Sequence, residues 1–530
     1  MKQIIHGPKL YVQTLAVLIC LLVSMPSAYS GMITQIVPTL TISEDYSDNY
    51  LQTETDKQKE YITSVGLGFS LGYLTKTRKI YLAFDPTYTK YKNLEDRDRL
   101  EPRASFDGEF NPSKHTNINA HLSYDGQKDT NQGDTWENIA SIDGNRQLTK
   151  NTDFNFSQEY SNKFDENIRT GKDKEHDVNT TFAGISNQFG KNDTMGLDFE
   201  YAFDHYKNSD LDTYTKYRPS GFITYWMTPL NGLDSEVSYE KREYDTSISD
   251  YENYTGHIRY LRKFSRHFDG YLKYRHFYSD EYAGKHIIFH PSVGFDWDVT
   301  KDSGISLGLG VLFHDREDND FNSEDLFFDI DVYKTFRFSQ TRSLSITAAS
   351  GYEDSSEEDI VTRGFRTYYQ GGFDYSHQLQ KRLSSSLYGS AKLDQYDESS
   401  GLDSDEDTIT YLTGIQLNYQ LMEHLFLNLD GSYEQVEYKR IIDNRTDETI
   451  VLGCGLSWNP LRWLQFNLDY QYRDFQTDTD AIIRGNYTEN TAFFSVKFSP
   501  TKPVRFDKYD SSPTRQDLEN KVFSYGKGAL

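Results

Sequence analysis

The sequence predicts an all-β fold, an antiparallel transmembrane β-barrel of about 24 strands, within a range of roughly 20–26. Three observations predict it. Apolar and polar residues alternate within segments of about ten residues, these segments recur about every twenty residues, and tight turns alternate with longer polar loops. In bacterial barrels the short turns face the periplasm and the longer loops face outward, so we expect that orientation here.

Residues 463–475 (WLQFNLDYQYRDF) show the alternation most clearly. Side chains alternate between the two faces of a strand, so an extended chain has one apolar and one polar face here. The apolar face carries Leu464, Phe466, Leu468, Tyr470 and Tyr472. The polar face carries Gln465, Asn467, Asp469, Gln471 and Arg473. Residues 195–204, 305–314 and 491–498 repeat the pattern.

The first thirty residues have the features of a secretory signal. Lys2 and Lys9 precede an apolar run over 10–23, and Ala28-Tyr29-Ser30 provides small residues before Gly31. We expect cleavage after Ser30. The alternative, a membrane anchor, is disfavoured because the apolar run is short for a spanning helix.

Composition narrows the class further. Without Lys2 and Lys9, 54 basic residues stand against 81 acidic ones, a net charge of −27, which argues against nucleic acid as a partner. Aromatic residues make up 15% of the chain although its mean hydropathy is −0.73. A barrel with a polar lumen accounts for both values, because only every second residue need be apolar. Cys454 is the sole cysteine after the signal, so the chain offers no internal disulfide.

The strands follow in order from the predicted cleavage site. The first three are expected at 33–46, 60–74 and 79–91. Eleven short turns recur at regular intervals along the chain, and we place them at 76–78, 112–114, 149–151, 190–192, 229–232, 265–267, 301–303, 340–342, 380–382, 422–424 and 460–462. The longer connections between them include 125–134, 165–172, 316–325, 397–407 and 476–486.

We therefore divide the chain into a signal peptide (1–30), a barrel (31–500) and a periplasmic tail (501–530). Residues 491–498 resemble the closing-strand signal of outer-membrane barrels, but about thirty residues follow them instead of a terminal aromatic. Residues 517–525 are compatible with a short helix. The tail is either disordered, or it docks to a partner or folds into the lumen.

Six polar residues are candidates for lining the lumen. The acidic ones would favour cations or neutral polymers over anions, and the tyrosines could stack on sugar rings. They are Asp198, Glu200, Asp430, Asp469, Tyr271 and Tyr388.

No catalytic, cofactor or metal site is predicted, and we expect that the protein is not an enzyme. The chain lacks H-E-x-x-H and P-loop motifs. His276, His286, His290 and His314 could cluster, although scattered interfacial or lumen histidines are the simpler interpretation. Acidic loops such as 317–320 and 403–407 could bind Ca²⁺ or form a solvated rim, and none has a complete calcium motif.

Barrels with added soluble parts fit the sequence less well. A TonB-dependent receptor has a plug domain of over a hundred residues before its first strand, whereas the first strand is expected here almost at the cleavage site. Ushers and lipopolysaccharide-assembly barrels also carry periplasmic domains that we do not expect in this chain.

The N-terminal region resembles a known family. Residues 37–42 (VPTLTI) and 44–49 (EDYSDN), followed by 66–70 and 81–88, are similar to the opening of proteins of the putative β-barrel porin 2 type. These include barrels associated with exopolysaccharide loci and PEP-CTERM/exosortase systems. The resemblance implies an outer-membrane pore linked to polysaccharide export or the cell envelope, and it supplies no catalytic residues.

Two classes of function remain, with a barrel enzyme as a distant third. The first is a passive conduit, and the second is a structural or adhesive surface protein without an open pore. The expected partners are outer-membrane lipid and lipopolysaccharide, the barrel assembly machinery, and a polysaccharide or periplasmic export partner.

Overall fold

The computed structural model describes residues 33–94, 97–129, 133–166, 174–207, 213–245, 250–281, 284–300, 303–316, 321–354, 365–396, 407–439, 444–478, 485–500 and 504–505. Its first strands are β1 (Ile33–Ser47), β2 (Glu60–Leu74), β3 (Arg78–Phe84), β4 (Thr87–Tyr91), β5 (Arg99–Glu101), β6 (Arg103–Ser113), β7 (Thr116–Asp129), β8 (Thr135–Thr149) and β9 (Thr152–Asp165). They are followed by β10 (Lys174–Gln188), β11 (Thr194–Lys207), β12 (Tyr214–Thr228), β13 (Asn231–Tyr244), β14 (Tyr251–Lys263), β15 (Phe268–Glu281), β16 (Gly284–Thr300), β17 (Ser303–Arg316) and β18 (Phe321–Ser339). The last are β19 (Arg342–Asp354), β20 (Phe365–Gln380), β21 (Leu383–Tyr396), β22 (Asp407–Met422), β23 (Leu425–Lys439), β24 (Arg445–Leu461), β25 (Leu464–Thr477), β26 (Tyr487–Phe498) and β27 (Val504–Arg505).

These segments form a closed antiparallel barrel of 24 wall strands, which confirms the predicted fold and strand count. Two wall strands are interrupted by proline. Strands β3 and β4 both pair with β2 and are separated at Pro86, while β5 and β6 both pair with β7 and are separated at Pro102. Proline has no N–H to donate to a ladder, but the Pro86 carbonyl still accepts from Leu67 at 3.1 Å.

The barrel closes between its first and last long strands. β1 pairs with β2 along its whole length and with β26 from Leu40↔Phe498 to Ser47↔Thr491. Val504 and Arg505, in the segment predicted as a tail, extend the pairing along this side of β1, because they pair with Ile36 and Gln35. The predicted signal peptide and the remainder of the tail lie outside the described residues.

Ten of the eleven predicted short turns lie at one end of the barrel, as expected from the sequence, and residues 301–302 of the eleventh lie outside the described residues. A hydroxyl side chain before the turn commonly accepts backbone hydrogen bonds within it, a local device that favours turns over further extension. Thr228 Oγ1 accepts from Leu230 and Asn231, and Ser339 Oγ accepts from Thr341. The other end carries the longer connections, except that only two residues separate β15 from β16.

The outer face is apolar and the inner face is mainly polar. Leu197, Leu272 and Leu468 are 67%, 60% and 52% exposed, as expected for side chains that face lipid in a membrane barrel. Exposed aromatic side chains gather near the short turns, where Trp458 stacks with Phe466 and Trp463 with Phe498. Such rings form interfacial girdles. Among the described residues, no helix is long and apolar enough to cross a membrane.

The face assignment can be tested on a single strand. We expect Leu468→Arg to lower the free energy of unfolding by about 2–4 kcal/mol, because it places a charge in the lipid-facing belt. The matched control is Gln471→Arg on the inward face of β25, which should change it by less than about 0.5 kcal/mol. Denaturant unfolding in liposomes measures both, and equal losses would contradict the assignment.

Candidate functional site

The inward face of the wall is the candidate functional site. All six predicted lining residues lie on it, because each alternates along its strand with exposed apolar neighbours such as Leu197, Leu387, Leu429 and Leu468. They are distributed around the wall on β11, β15, β21, β23 and β25. A role for them in transport remains a prediction.

The structure brings two of the predicted acidic residues together. Asp430 on β23 and Asp469 on β25 are both exposed and flank β24, where Gly453 pairs with Asp430 and Gly455 with Asp469. Because Gly453 and Gly455 have no side chains, no side chain of β24 covers the carboxylates of Asp430 and Asp469 at these positions. Neither carboxylate, nor that of Asp198, forms an ion pair within the described part of the chain, so these charges are available to the lumen.

The two predicted tyrosines lie flat over glycines. Tyr271 is 5% exposed, and its ring covers Gly294 on the adjacent strand β16 and Gly308 on β17 beyond it. Tyr388 covers Gly414 in the same way but is only half-buried. A side chain at either site on β16 or β17 would collide with the Tyr271 ring. Packing therefore occupies Tyr271, and Tyr388 keeps more of its surface open to the lumen.

Basic residues on the inward face are mostly neutralised by partners across strands. Arg259 on β14 bridges Asp234 and Asp296 at 3.3 and 3.2 Å. Lys273 on β15 binds Asp329 at 3.1 Å, and Lys216 on β12 binds Glu200 at 2.7 Å. Other inward pairs join residues two apart on the same strand, as Arg242 and Glu240 do on β13 at 2.7 Å. Arg275 and Arg473 also face inward and form no ion pair among the described residues, so the unpaired inward charges include these two cations beside the carboxylates of Asp198, Asp430 and Asp469.

One part of the wall departs from simple pairing. β18 pairs with β19 only from Asp331↔Ala349 to Ser339↔Arg342, although β18 continues for ten more residues beside β17. Ser350 takes over where the ladder stops, since its Oγ accepts from Ile330 N–H at 2.8 Å and donates to Phe328 O at 2.6 Å. We call the gap between β18 and β19 the seam. It lies beside residues 321–330 of β18, on the long-loop side of the last β18–β19 pair.

Beyond the seam, the hairpin of β19 and β20 passes over the inside of the wall. Its pairing continues without a register shift, so Tyr352 and Tyr369 belong to the same face as Ile346 and Phe373, which are exposed on the outside. Nevertheless both tyrosines contact Phe327, which faces inward on β18.

A contact between Tyr352 and a distant strand confirms that the hairpin of β19 and β20 lies inside the wall. Its ring lies 4.5 Å from the guanidinium of Arg275 on β15, four strands away along the wall. Neighbouring strands are about 4.8 Å apart, so this contact cannot be made around the wall surface. We call residues 350–352 and 366–369, lying across the inward face of β15–β18, the overlap.

The overlap encloses an apolar cluster formed by Phe277, Ile288, Leu312, Phe327 and Tyr352, with Tyr369 packed beside it. Three of the four candidate histidines border this cluster. His290 is completely buried with Nδ1 3.5 Å from the Tyr352 hydroxyl, and His286 Nδ1 lies 3.0 Å from His314 Nε2. His290 has room because Gly310 on β17, against which its ring lies, has no side chain.

The histidine arrangement does not form a metal centre. His276 lies apart on the outward face, where its ring packs against Phe289. Within the described residues, no group of three or more His, Cys, Asp or Glu side chains could hold a metal ion. Most acidic loop residues considered for calcium lie outside the described residues.

Sequence reasoning missed the overlap, although a signal was present. Three neighbouring strands each contain three consecutive apolar residues where alternation predicts a polar one in the middle. These are residues 287–289, 311–313 and 326–328. The middle residues, Ile288, Leu312 and Phe327, face inward and belong to the cluster, together with Phe277 on β15. Consecutive apolar triplets on adjacent barrel strands thus indicate an internal packing surface.

The fold and the polar inward face define the class: this is an outer-membrane β-barrel with a porin-like architecture. Residues 394–499, from the end of β21 to just past β26, match the family described as "Putative beta-barrel porin 2". The resemblance predicted from residues near the N-terminus is confirmed through this different part of the chain. A search of curated proteins found no match.

Solved structures similar to this chain are large outer-membrane barrels. The FrpB iron transporter from Neisseria meningitidis has a TM-score of 0.52 and 7% identity, covering 88% of this chain and 81% of that one. The siderophore receptor PirA from Acinetobacter baumannii has a TM-score of 0.51 and 8% identity, covering 90% and 81%. A ferric enterobactin receptor mutant from Pseudomonas aeruginosa (PfeA) gives 0.51 and 8%, covering 88% and 81%. At these identities the likeness concerns the fold alone.

Packing within the overlap can be tested by truncating its central ring. Phe327 is 2% exposed, so Phe327→Ala should lower the free energy of unfolding by about 3–5 kcal/mol through lost burial and a cavity. Its neighbour Phe328 is 50% exposed on the outer face and provides the control. Denaturant unfolding of both variants should show a much smaller loss for Phe328→Ala. Comparable losses would contradict an internal cluster.

Proposed function

We propose that the protein is a passive conduit of the outer membrane that favours cations and uncharged polymers over anions. The observation that carries this proposal is the set of uncompensated inward carboxylates, Asp198, Asp430 and Asp469, within a wide wall whose basic residues are largely paired. Twenty-four strands about 4.8 Å apart and tilted by about 40° give a barrel roughly 48 Å across at the backbone. Barrels of this size can enclose an aqueous channel.

The transported material in this proposal is a polysaccharide or another envelope polymer. The family resemblance supports this choice, as do inward aromatic rings such as Tyr388 that remain partly open to the lumen. A glycan is rich in hydroxyl groups and has apolar ring faces, so a wall of amides, carboxylates and tyrosines suits it.

The proposal includes no catalytic step and no cofactor. The partners in the proposal are the lipid and lipopolysaccharide around the belt, the barrel assembly machinery, and a periplasmic export protein at the short-turn end. It also includes removal of the signal near Ser30 during export to the outer membrane.

A structural or adhesive surface protein is the second candidate. The overlap favours it, because part of the wall already folds over the lumen instead of enlarging it. The two candidates differ in one measurable property, which is whether ions cross the barrel.

Conductance in planar bilayers tests the proposal directly. We expect large, cation-selective steps from the refolded chain, and the same protein without residues 501–530 shows whether the tail matters. Conductance only after truncation would identify the tail as a plug. Silence of both proteins, when both are folded, would reject the conduit and favour the structural candidate.

Selectivity should depend on the uncompensated carboxylates. In Asp430→Asn/Asp469→Asn, we expect the cation-over-anion permeability ratio to fall roughly twofold, because two fixed charges are removed from one side of the lumen. Gln471→Asn, an uncharged change on the inward face of β25, is the control and should leave the ratio unchanged. Reversal potentials in a salt gradient measure it. An unchanged ratio in the double variant would exclude these residues from the ion path.

A further inference from the structure

A cavity of about 330 Å³, which is within the usual size range of ligand pockets, borders the β18 side of the seam. It lies between the inward face of β17–β18 and the ends of β20–β22. Three consecutive residues of β18, Asp325, Leu326 and Phe327, line it. Consecutive residues point to opposite faces of a strand, so the cavity borders the edge of β18 that has no strand partner among the described residues, and not merely one of its faces.

The lining is amphipathic. Leu312, Phe327 and the ring of Tyr369 provide apolar surface, while His314, Asp325 and Asp407 provide polar groups. Two carboxylates line the cavity, and the described lining contains no Lys or Arg. A ligand that fits this chemistry has an apolar part and a neutral or cationic polar part.

The cavity adjoins the lipid-facing surface. Leu326 and Phe328 are 67% and 50% exposed on the outer face directly beside the seam. An acyl chain lying along the outer belt could therefore reach this edge of β18 without leaving an apolar environment.

Backbone pairing between β18 and β19 also stops at the seam. Elsewhere neighbouring long strands pair over most of their length, as β17 does with β18 from Ser303 to Arg316. Across the seam, the Ser350 side chain bonds to the backbone of Phe328 and Ile330. Separating the strands there breaks side-chain bonds and leaves the backbone ladder intact.

We propose that the seam is a binding site for a single-chain amphiphile with a neutral or cationic head group, which enters from the membrane between β18 and β19. The acyl chain lies against Leu312 and Phe327, and the head group is near Asp325 and Asp407. This site is separate from the proposed conduction path, so either proposal can fail without the other.

The test uses two probes, a dodecyl ammonium and a dodecyl carboxylate, each with a photoactivatable diazirine in its chain. The full-length protein in lipid nanodiscs is irradiated with each probe, and the labelled peptides are mapped by mass spectrometry. We expect the ammonium probe to label peptides that contain residues 312, 326–327 and 369 in preference to the rest of the belt. Labelling spread evenly over exposed belt residues would overturn the proposal.

Two variants give the test its controls. Thr367→Trp fills the cavity from β20 and should abolish the preferential labelling. Thr413→Trp adds the same side chain to the outer face of β22, away from the cavity, and should preserve it. Equal labelling of these two variants would overturn the site. Retention of the compact form on an unheated gel shows that each variant is folded.

A third variant tests the head-group chemistry without changing the shape of the cavity. Asp325→Asn should lower the ammonium-to-carboxylate labelling ratio by about two- to fivefold, the size expected for one solvent-screened charge contact. An unchanged ratio would overturn the preference for a cationic head.

Discussion

The requirement that every backbone N–H and C=O be bonded within the membrane determines this structure. A bilayer core offers no water to these groups, so strands can cross it only in a closed ladder. The pairing of β1 with β26 closes that ladder, and the wall is continuous through 24 strands. Even the two prolines that interrupt wall strands respect the constraint, because the Pro86 and Pro102 carbonyls still accept from Leu67 and Gly126. The chain interrupts a strand there without opening the barrel.

The seam shows how the same requirement is met when strand pairing stops. Ser350 accepts from one orphaned group of β18 and donates to another, which replaces ladder bonds with side-chain bonds. The hairpin freed by this change carries apolar residues on its formally outward face. Because it passes inside the wall, that face meets Phe327 and Ile288 instead of lipid. The inward apolar residues of β16–β18 are therefore covered by the displaced hairpin, and they in turn cover its apolar face.

These two features also separate what the sequence could predict from what it could not. Strand existence, turn positions and face alternation are local properties, so residues such as those of 463–475 predict them directly. The strand count follows when the segments around Pro86 and Pro102 are each counted as one interrupted strand.

The overlap depends on contacts between β19 and β15, and alternation within one strand contains no information about such contacts. The triplets at 287–289, 311–313 and 326–328 indicated an unusual inward surface, but not its partner. The inward position of Asp430 was predictable, whereas the cross-strand neutralisation of Arg259 by two carboxylates required the register.

The overlap and an open lumen are compatible on geometric grounds. A wall of 24 strands at about 4.8 Å spacing and about 40° tilt has a circumference of roughly 150 Å. The overlap lies against four strands, β15–β18, and so covers roughly one sixth of that circumference. A layer of sheet is about 10 Å thick, which is small beside a backbone diameter of roughly 48 Å. The described overlap therefore narrows one sector of the barrel and leaves Asp198, Asp430 and Asp469 facing the remaining space. A barrel of this width can fold one hairpin inward, with a membrane-facing seam as the consequence, and still keep a polar channel beside it.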